Sequence, residues 1–308
     1  MKKQFFLFLM LTLLVTTTFP TTVDEYLIIG ERYFAQRRFH EAHAAVQEAL
    51  RLNPDYAVAN FHLGVIYYHL NDSQIALERL SRAIELDGAL AEAYSWRGRI
   101  FKARGKYDNA LENYNMAVYL EPENDRLRRN RALFLYTALG DFTQALTDYN
   151  RAIEIDPLNY ENFQQRGVCY AHQGLFEQAL DDLNTAISLN DGVVENFTFR
   201  GTMLFYMGRH EEAMEDFDTA VRLDSNGIRG FFQRGHANIR LGRHHEAVSD
   251  FTEVIRIEPN NRHAFINRSV AYRYLALLSL YSDLERALYY VQRAQEDEAA
   301  ANWLDSQR

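Results

Sequence analysis

An arginine followed by a small residue returns every 34 positions through the second half of the chain, at Arg166-Gly167, Arg200-Gly201, Arg234-Gly235 and Arg268-Ser269. Ala179, Ala213 and Ala247 keep the same phase. Chance does not hold phase over so many units, so the chain reads as an array of like units, each packing on its neighbours. Within one unit, Ala91 to Pro122, apolar residues recur at i, i+3, i+4 and i+7 on both sides of Gly105. That spacing predicts two amphipathic helices joined by a turn. A glycine inside a helix costs about 1 kcal/mol relative to alanine. Gly98 therefore needs a packing reason: with Ala110 it lets two helix backbones approach closely. A hydrophobic content of 47% suffices for a continuous core, and strand signals are absent.

A 34-residue period carrying Gly, Tyr, Ala and closing Pro in this order resembles the tetratricopeptide repeat (TPR) family. The resemblance covers about Val23 to Gln295. It implies an all-α, right-handed solenoid of antiparallel helix pairs. Residues 1–22 are set apart as a signal peptide or N-terminal anchor, 23–261 as seven repeats, and 262–308 as a degenerate eighth repeat with a C-terminal cap. Two departures stand out. Arg97 and Arg166 are 69 residues apart, two periods plus one, so repeat 4 is expected to hold a kink or bulge in its first helix or turn. In the last repeat, Ala287, Val291 and Ala294 echo a second helix about six residues late. The acidic run Glu296, Asp297 and Glu298 is expected to give that end a polar outer surface, and Trp303 and Leu304 to fold back on the last groove.

Asp148, Asp182, Asp216 and Asp250 also recur every 34 residues, each 18 before Arg166, Arg200, Arg234 and Arg268. Joining them in that order leaves nothing over and predicts four ion pairs between successive repeats, near 3 Å as for other charge-assisted contacts.

The N-terminus has the build of an export signal: Lys2 and Lys3, an apolar stretch Phe5 to Val15, then Thr16 to Thr18. The apolar run is shorter than the roughly 20 residues that span a bilayer. It implies an exported protein, periplasmic or secreted if bacterial, or one anchored by an uncleaved N-terminus, with membrane contact only if residues 5–19 are retained.

Signals for chemistry are missing. A formal charge of −9 argues against a general nucleic-acid binder. Cys169 is the single cysteine and reads as a buried small apolar residue. His40-Glu41-Ala42-His43 lacks the i, i+4 spacing of helical zinc ligands. His40, His210, His244 and His245 share a turn phase, where side chains are solvated or cap the helix. There is no phosphate loop, serine elbow or paired-cysteine motif. No enzyme, cofactor or metal is expected. Asn71, Asn196 and Asn267 begin glycosylation sequons, the last two within predicted helices.

In the TPR family, first helices line a concave surface that takes extended peptides or partner helices. By that resemblance, the positions one before the repeat arginine, and one, four and five after its glycine, should face inward. They include His62, Tyr68, His69, Trp96, Arg99, Lys102, Gln165, His172, Phe199, Phe205, Tyr206, Gln233, His236, Arg240, Asn267 and Arg273. Arg126, Arg129 and Asn130 join them from the basic cluster Arg126 to Arg131, which reads either as a solvated helix face or as a site for an acidic segment. Aromatics mixed with Arg, Gln, Asn and His suit protein recognition; each ring is equally open to a role in packing between units. Some TPR proteins hold chaperone C-termini with Lys and Asn on three first helices. Asn130 and Asn267 keep one such phase, but Ser95 with Arg99, and Phe232 with His236, stand where Lys and Asn are needed. The expectation is a non-catalytic protein-interaction scaffold outside the cytoplasm. A solute- or lipid-binding accessory protein and a regulatory subunit of a separate enzyme are the alternatives.

Overall fold

The structure, a computed structural model, describes residues 21–307. The leader reading rests on residues 1–20, outside that range. The described residues form sixteen α-helices and one π-helical turn, with no strand among them. In chain order the helices are α1 Val23–Ala35, α2 Phe39–Leu52, α3 Ala57–His69, α4 Ser73–Leu86, α5 Ala91–Ala103, α6 Tyr107–Leu120, α7 Asp125–Phe134, α8 Phe142–Ile155, α9 Tyr160–His172 and α10 Phe176–Leu189. They continue as α11 Val194–Tyr206, α12 His210–Leu223, α13 Ile228–Arg240, α14 His244–Ile257, α15 Arg262–Ser279 and α16 Leu284–Ser306. No described helix is long and apolar enough to cross a membrane. The chain divides into two compact units, one ending at Leu139 and one beginning at Gly140.

Two glycine phases shape each hairpin. In the turns, Gly105, Gly140, Gly174, Gly208 and Gly242 adopt φ between +69° and +79°, the left-handed region that only glycine enters freely. In the first two turns Arg37 (φ +58°) and Asn71 (φ +62°) take that conformation. Inside first helices, glycine permits close approach. A Cβ at Gly201 would lie 2.8 Å from Phe217 Cε1 and 3.1 Å from the Ala213 carbonyl, and at Gly98 3.3 Å from the Ala110 carbonyl. The facing Ala42, Ala76, Ala110, Ala179, Ala213 and Ala247 are fully buried, and so is Ala145.

The extra residue of repeat 4 sits in a π-helical turn, Leu135–Leu139, at the end of α7. One added residue widens the helix locally, which is the predicted bulge. Thr137 hydroxyl donates there to the Leu133 carbonyl.

The periodic ions are paired, with a different partner from the one expected. Arg166 closes on Asp182, Arg200 on Asp216 and Arg234 on Asp250, each with an Nη2–Oδ1 distance of 2.6 Å. These partners lie 16 residues apart, on the two helices of one repeat, where the glycine phase draws the backbones together. The link to the preceding repeat runs through the remaining guanidinium nitrogen: Nη1 donates to Asn150, Asn184 and Asp218 at 2.7–2.8 Å. Arg97 repeats the arrangement with neutral partners, Asn113 (2.8 Å) and Ser81 (3.3 Å). Asp148 follows Ala132, which offers no guanidinium, by the same interval.

Arg268 takes Asp297 instead of Asp250, at 2.7 Å. Ala294, Asp297 and Ala301 are buried in the roles of Ala247, Asp250 and Val254. Ala294 lies 25 residues after Ser269 where Ala247 lies 12 after Gly235, so the second helix of the last pair is 13 residues late, not six. The insertion lengthens α15 to 18 and α16 to 23 residues, against 13 and 14 in α13 and α14. Asp297 is therefore core, not outer surface. Val291 is exposed, and α16 runs straight on through Trp303, which faces solvent instead of folding back. Cys169 is fully buried, and burial pushes its thiol up to about 11.

Candidate functional site

The first helices that carry the glycine pack that face on their own second helix, which leaves the opposite face for other contacts. In the first unit, that face of α1, α3, α5 and α7 bounds a hollow of about 200 Å³, with Glu31, Phe34, Phe61, His62, Val65, Trp96 and Arg126 among its walls. Beside it runs a series of rings. Phe39 stacks on His69 at 4.9 Å, with Phe34 edge-on to both, and Tyr68 and His69 meet Trp96 edge-on at 5.4 and 5.8 Å. The Arg99 guanidinium lies 4.4 Å above the Trp96 ring, a cation–π contact. Burial lifts the nearby Tyr114 phenol to about 12, and Arg99 opposes that shift. Burial, with Arg99 and Arg37 adding to it, lowers the His69 pKa.

Several charges here are matched internally. His62 lies 3.2 Å from Glu31, and burial outweighs that carboxylate to hold the imidazole pKa below its usual value. Arg126 pairs with Glu92, Arg129 with Asp125 at 3.1 Å, Arg128 donates to the Pro122 carbonyl and Arg131 to Asn115. Every cation of the basic cluster thus has a local partner, which matches a helix face satisfied by its own surroundings and weakens its reading as a site for an acidic segment. Asn130 donates to Ser95 at 3.2 Å, and Lys102 to Thr137 at 2.7 Å.

In the second unit, α11, α13 and α15 bound a larger hollow of about 410 Å³. Phe205, Tyr206, Gln233, His236, Arg240 and Asn267 line it, together with Thr202, Phe232, Ile239 and Val270. His236 packs against Phe232 and Phe251 at 4.9 and 5.6 Å, and burial lowers its pKa. Asn267 Nδ2 is 3.4 Å from His236 Nε2, so the neutral ring accepts from the amide. Arg240 makes no ion pair with any described residue. Arg273 is engaged by Glu298 at 2.5 Å. Gln165, His172, Phe199 and Arg273 lie outside this hollow, with Gln165 donating to Gln164.

Glu31, Phe34, Thr202, Ile239 and Val270 obey the same phases as the predicted groove residues and extend the set. Phe39 does not; it enters from the start of α2. The turn histidines are not uniformly solvated. His244 is buried and stacks on Tyr274 at 4.7 Å, and His210 packs on Phe205 at 4.7 Å. Asn196, within a sequon, is fully buried and accepts from Gln164.

Family models described as tetratricopeptide repeat match residues 29–89, 91–124, 130–157, 148–181, 194–226 and 228–261, well over half of the chain. The chain belongs to the tetratricopeptide repeat family. It is 29% identical over 105 residues to a DnaJ homolog subfamily C member 7 homolog of Dictyostelium discoideum, covering 33% of this chain and 20% of that one. It is likewise 29% identical over 107 residues to the mitochondrial import receptor subunit TOM70 of Homo sapiens, covering 34% and 18%. The match thus spans about a fifth of the length of these curated relatives. Among solved structures, yeast Tom70 aligns over 93% of this TPR chain and 65% of its own, at TM-score 0.67 and 19% identity. A tetratricopeptide repeat protein from Parabacteroides merdae aligns over 81% and 98%, at TM-score 0.63 and 17% identity. At those identities the likeness is one of fold.

Proposed function

We propose that this TPR protein is a non-catalytic scaffold that holds segments of a partner protein on the free faces of its first helices. The observation that carries the reading is the hollow between α11, α13 and α15. Rings from Phe205, Tyr206 and Phe232, amides from Gln233 and Asn267, and the unengaged Arg240 guanidinium converge there. Rings supply area at low entropic cost, amides take backbone hydrogen bonds, and the guanidinium selects a carboxylate. An extended peptide with an aromatic or aliphatic residue next to an acidic one satisfies all three. The ring series of the first unit, whose Arg99 guanidinium already lies over the Trp96 ring, suits a more apolar stretch. The leader-like residues Lys2 to Thr18 support a place of action outside the cytoplasm.

Peptide display on the purified chain tests the reading. Enriched peptides should pair an acidic residue with an apolar one. Arg240→Ala should weaken them at least tenfold and flatten their salt dependence. No enrichment, or binding that ignores both Arg240→Ala and Trp96→Ala, overturns it.

A further inference from the structure

The 13-residue insertion makes the tip of the α15–α16 hairpin longer than its neighbours, and that tip is apolar on its outer side. Leu275 and Ala276 face α16 and are buried, while Leu277 (62% exposed), Leu278 (67%) and Tyr281 (96%) point outward. Leu280, Leu284 and Leu288 continue the surface across the turn. We propose that this tip is the contact surface between two copies of the chain.

Size and charge argue for a second copy. These six apolar side chains, each 45–96% exposed, are gathered on one hairpin tip, a concentration that marks interaction sites and suits an interface burying roughly 800 Å² per partner. A two-fold contact brings each charge toward its own equivalent, so it favours a patch without net charge. Between Tyr274 and Leu284 the one charged residue is Asp283, and its carboxylate is held as the cap of α16, accepting from the Arg286 amide at 2.9 Å. Beyond it Arg273 is paired with Glu298, and the adjacent Glu285 and Arg286 are of opposite sign, so the stretch on to Leu288 adds no net charge. The patch therefore offers no net positive charge to an anionic bilayer. Two helical hairpins laid together form a four-helix bundle, which covers apolar faces of this kind. In the proposed dimer the turn that carries Tyr281, the most exposed residue of the patch, meets its equivalent near the two-fold axis.

Light scattering on the purified chain between 1 and 50 µM tests this, alongside the Leu278→Glu/Tyr281→Glu variant. The wild type should be a dimer, and the variant a monomer with unchanged far-UV circular dichroism, its dissociation constant raised at least 100-fold. Should the variant not fold, Ser282→Cys with a short bismaleimide gives the second readout, since the native Cys169 is buried; a crosslinked dimer is expected. A monomeric wild type at 50 µM, a folded variant that still dimerises, or no crosslink through Cys at 282 overturns the proposal. A monomer that sediments with phosphatidylcholine vesicles overturns it in favour of lipid.

Discussion

Arg200 grips Asp216 with two nitrogens, Nε to Oδ2 at 2.9 Å and Nη2 to Oδ1 at 2.6 Å, and with its third reaches Asn184 of the preceding helix pair at 2.8 Å. One guanidinium thus joins three helices, α11, α12 and α10. Removing one partner of such a pair leaves the other charge desolvated. Asp216→Ala is expected to cost about 2 kcal/mol, because the arginine keeps partial access to water. Arg268 and Asp297 have side chains only 10% and 5% exposed, so Asp297→Ala should cost more, about 3–5 kcal/mol. Urea denaturation of both variants checks the order. Equal losses would mean that burial does not set the cost of these pairs.

The left-handed turn positions predict a gain. Arg37 holds φ +58° where five other turns place glycine. A non-glycine residue there is strained by about 1–2 kcal/mol, partly offset by the entropy that glycine loses on folding. Arg37→Gly should raise stability by about 0.5–1 kcal/mol, and Gly208→Arg, at φ +79°, should lower it by a similar amount. Thermal unfolding of the two variants reads both signs. A destabilised Arg37→Gly would show that the arginine makes contacts that outweigh its backbone.

Glycines inside the first helices answer to packing, not to backbone angle. At Gly201 an added Cβ meets the Phe217 ring and the Ala213 carbonyl. Overpacking costs about 1–3 kcal/mol, while alanine returns about 1 kcal/mol of helix propensity. Gly201→Ala should therefore be destabilising by about 1 kcal/mol. Gly201→Ala combined with Phe217→Leu, which frees the ring's space, should cost less than the sum of the two single changes. Additive losses would place the strain at the backbone carbonyl instead.

These positions also mark how far the chain could be read by eye. The 34-residue phase of Gly, Ala and Arg is a packing signal, so it gives away the helix pairs, and the 69-residue interval gives away the π turn. Pairing is harder, because a period fixes phase and leaves the partner open. Arg200 has an aspartate 18 residues before it and another 16 after it, and only the close helix–helix approach at Gly201 selects the second. Asp297 escaped because it is displaced by 13 residues from its phase. The hollow around Tyr206 and Arg240 was legible from first-helix phase, whereas Phe39 comes from the start of a second helix, where that phase says nothing.

His62 gives the first unit a pH dependence. Burial holds its imidazole pKa below the ordinary 6.5 despite Glu31 at 3.2 Å, which pulls the other way. Above about pH 6.5 the ring is neutral in both folded and unfolded chains, and it contributes no slope. Below that value the unfolded chain takes up the proton and the folded one does not, so the unfolded state binds more protons and stability is lost as the pH is lowered. The loss grows until the pH passes the depressed pKa of the folded state, and then it levels. Urea midpoints of the wild type and His62→Gln, compared at pH 7.5 and 5.5, isolate this share, since other titrating groups are common to both proteins. The wild type should lose more stability on acidification than the variant. Parallel slopes would mean that Glu31 compensates the burial and that the ring titrates in the fold as it does in the open chain.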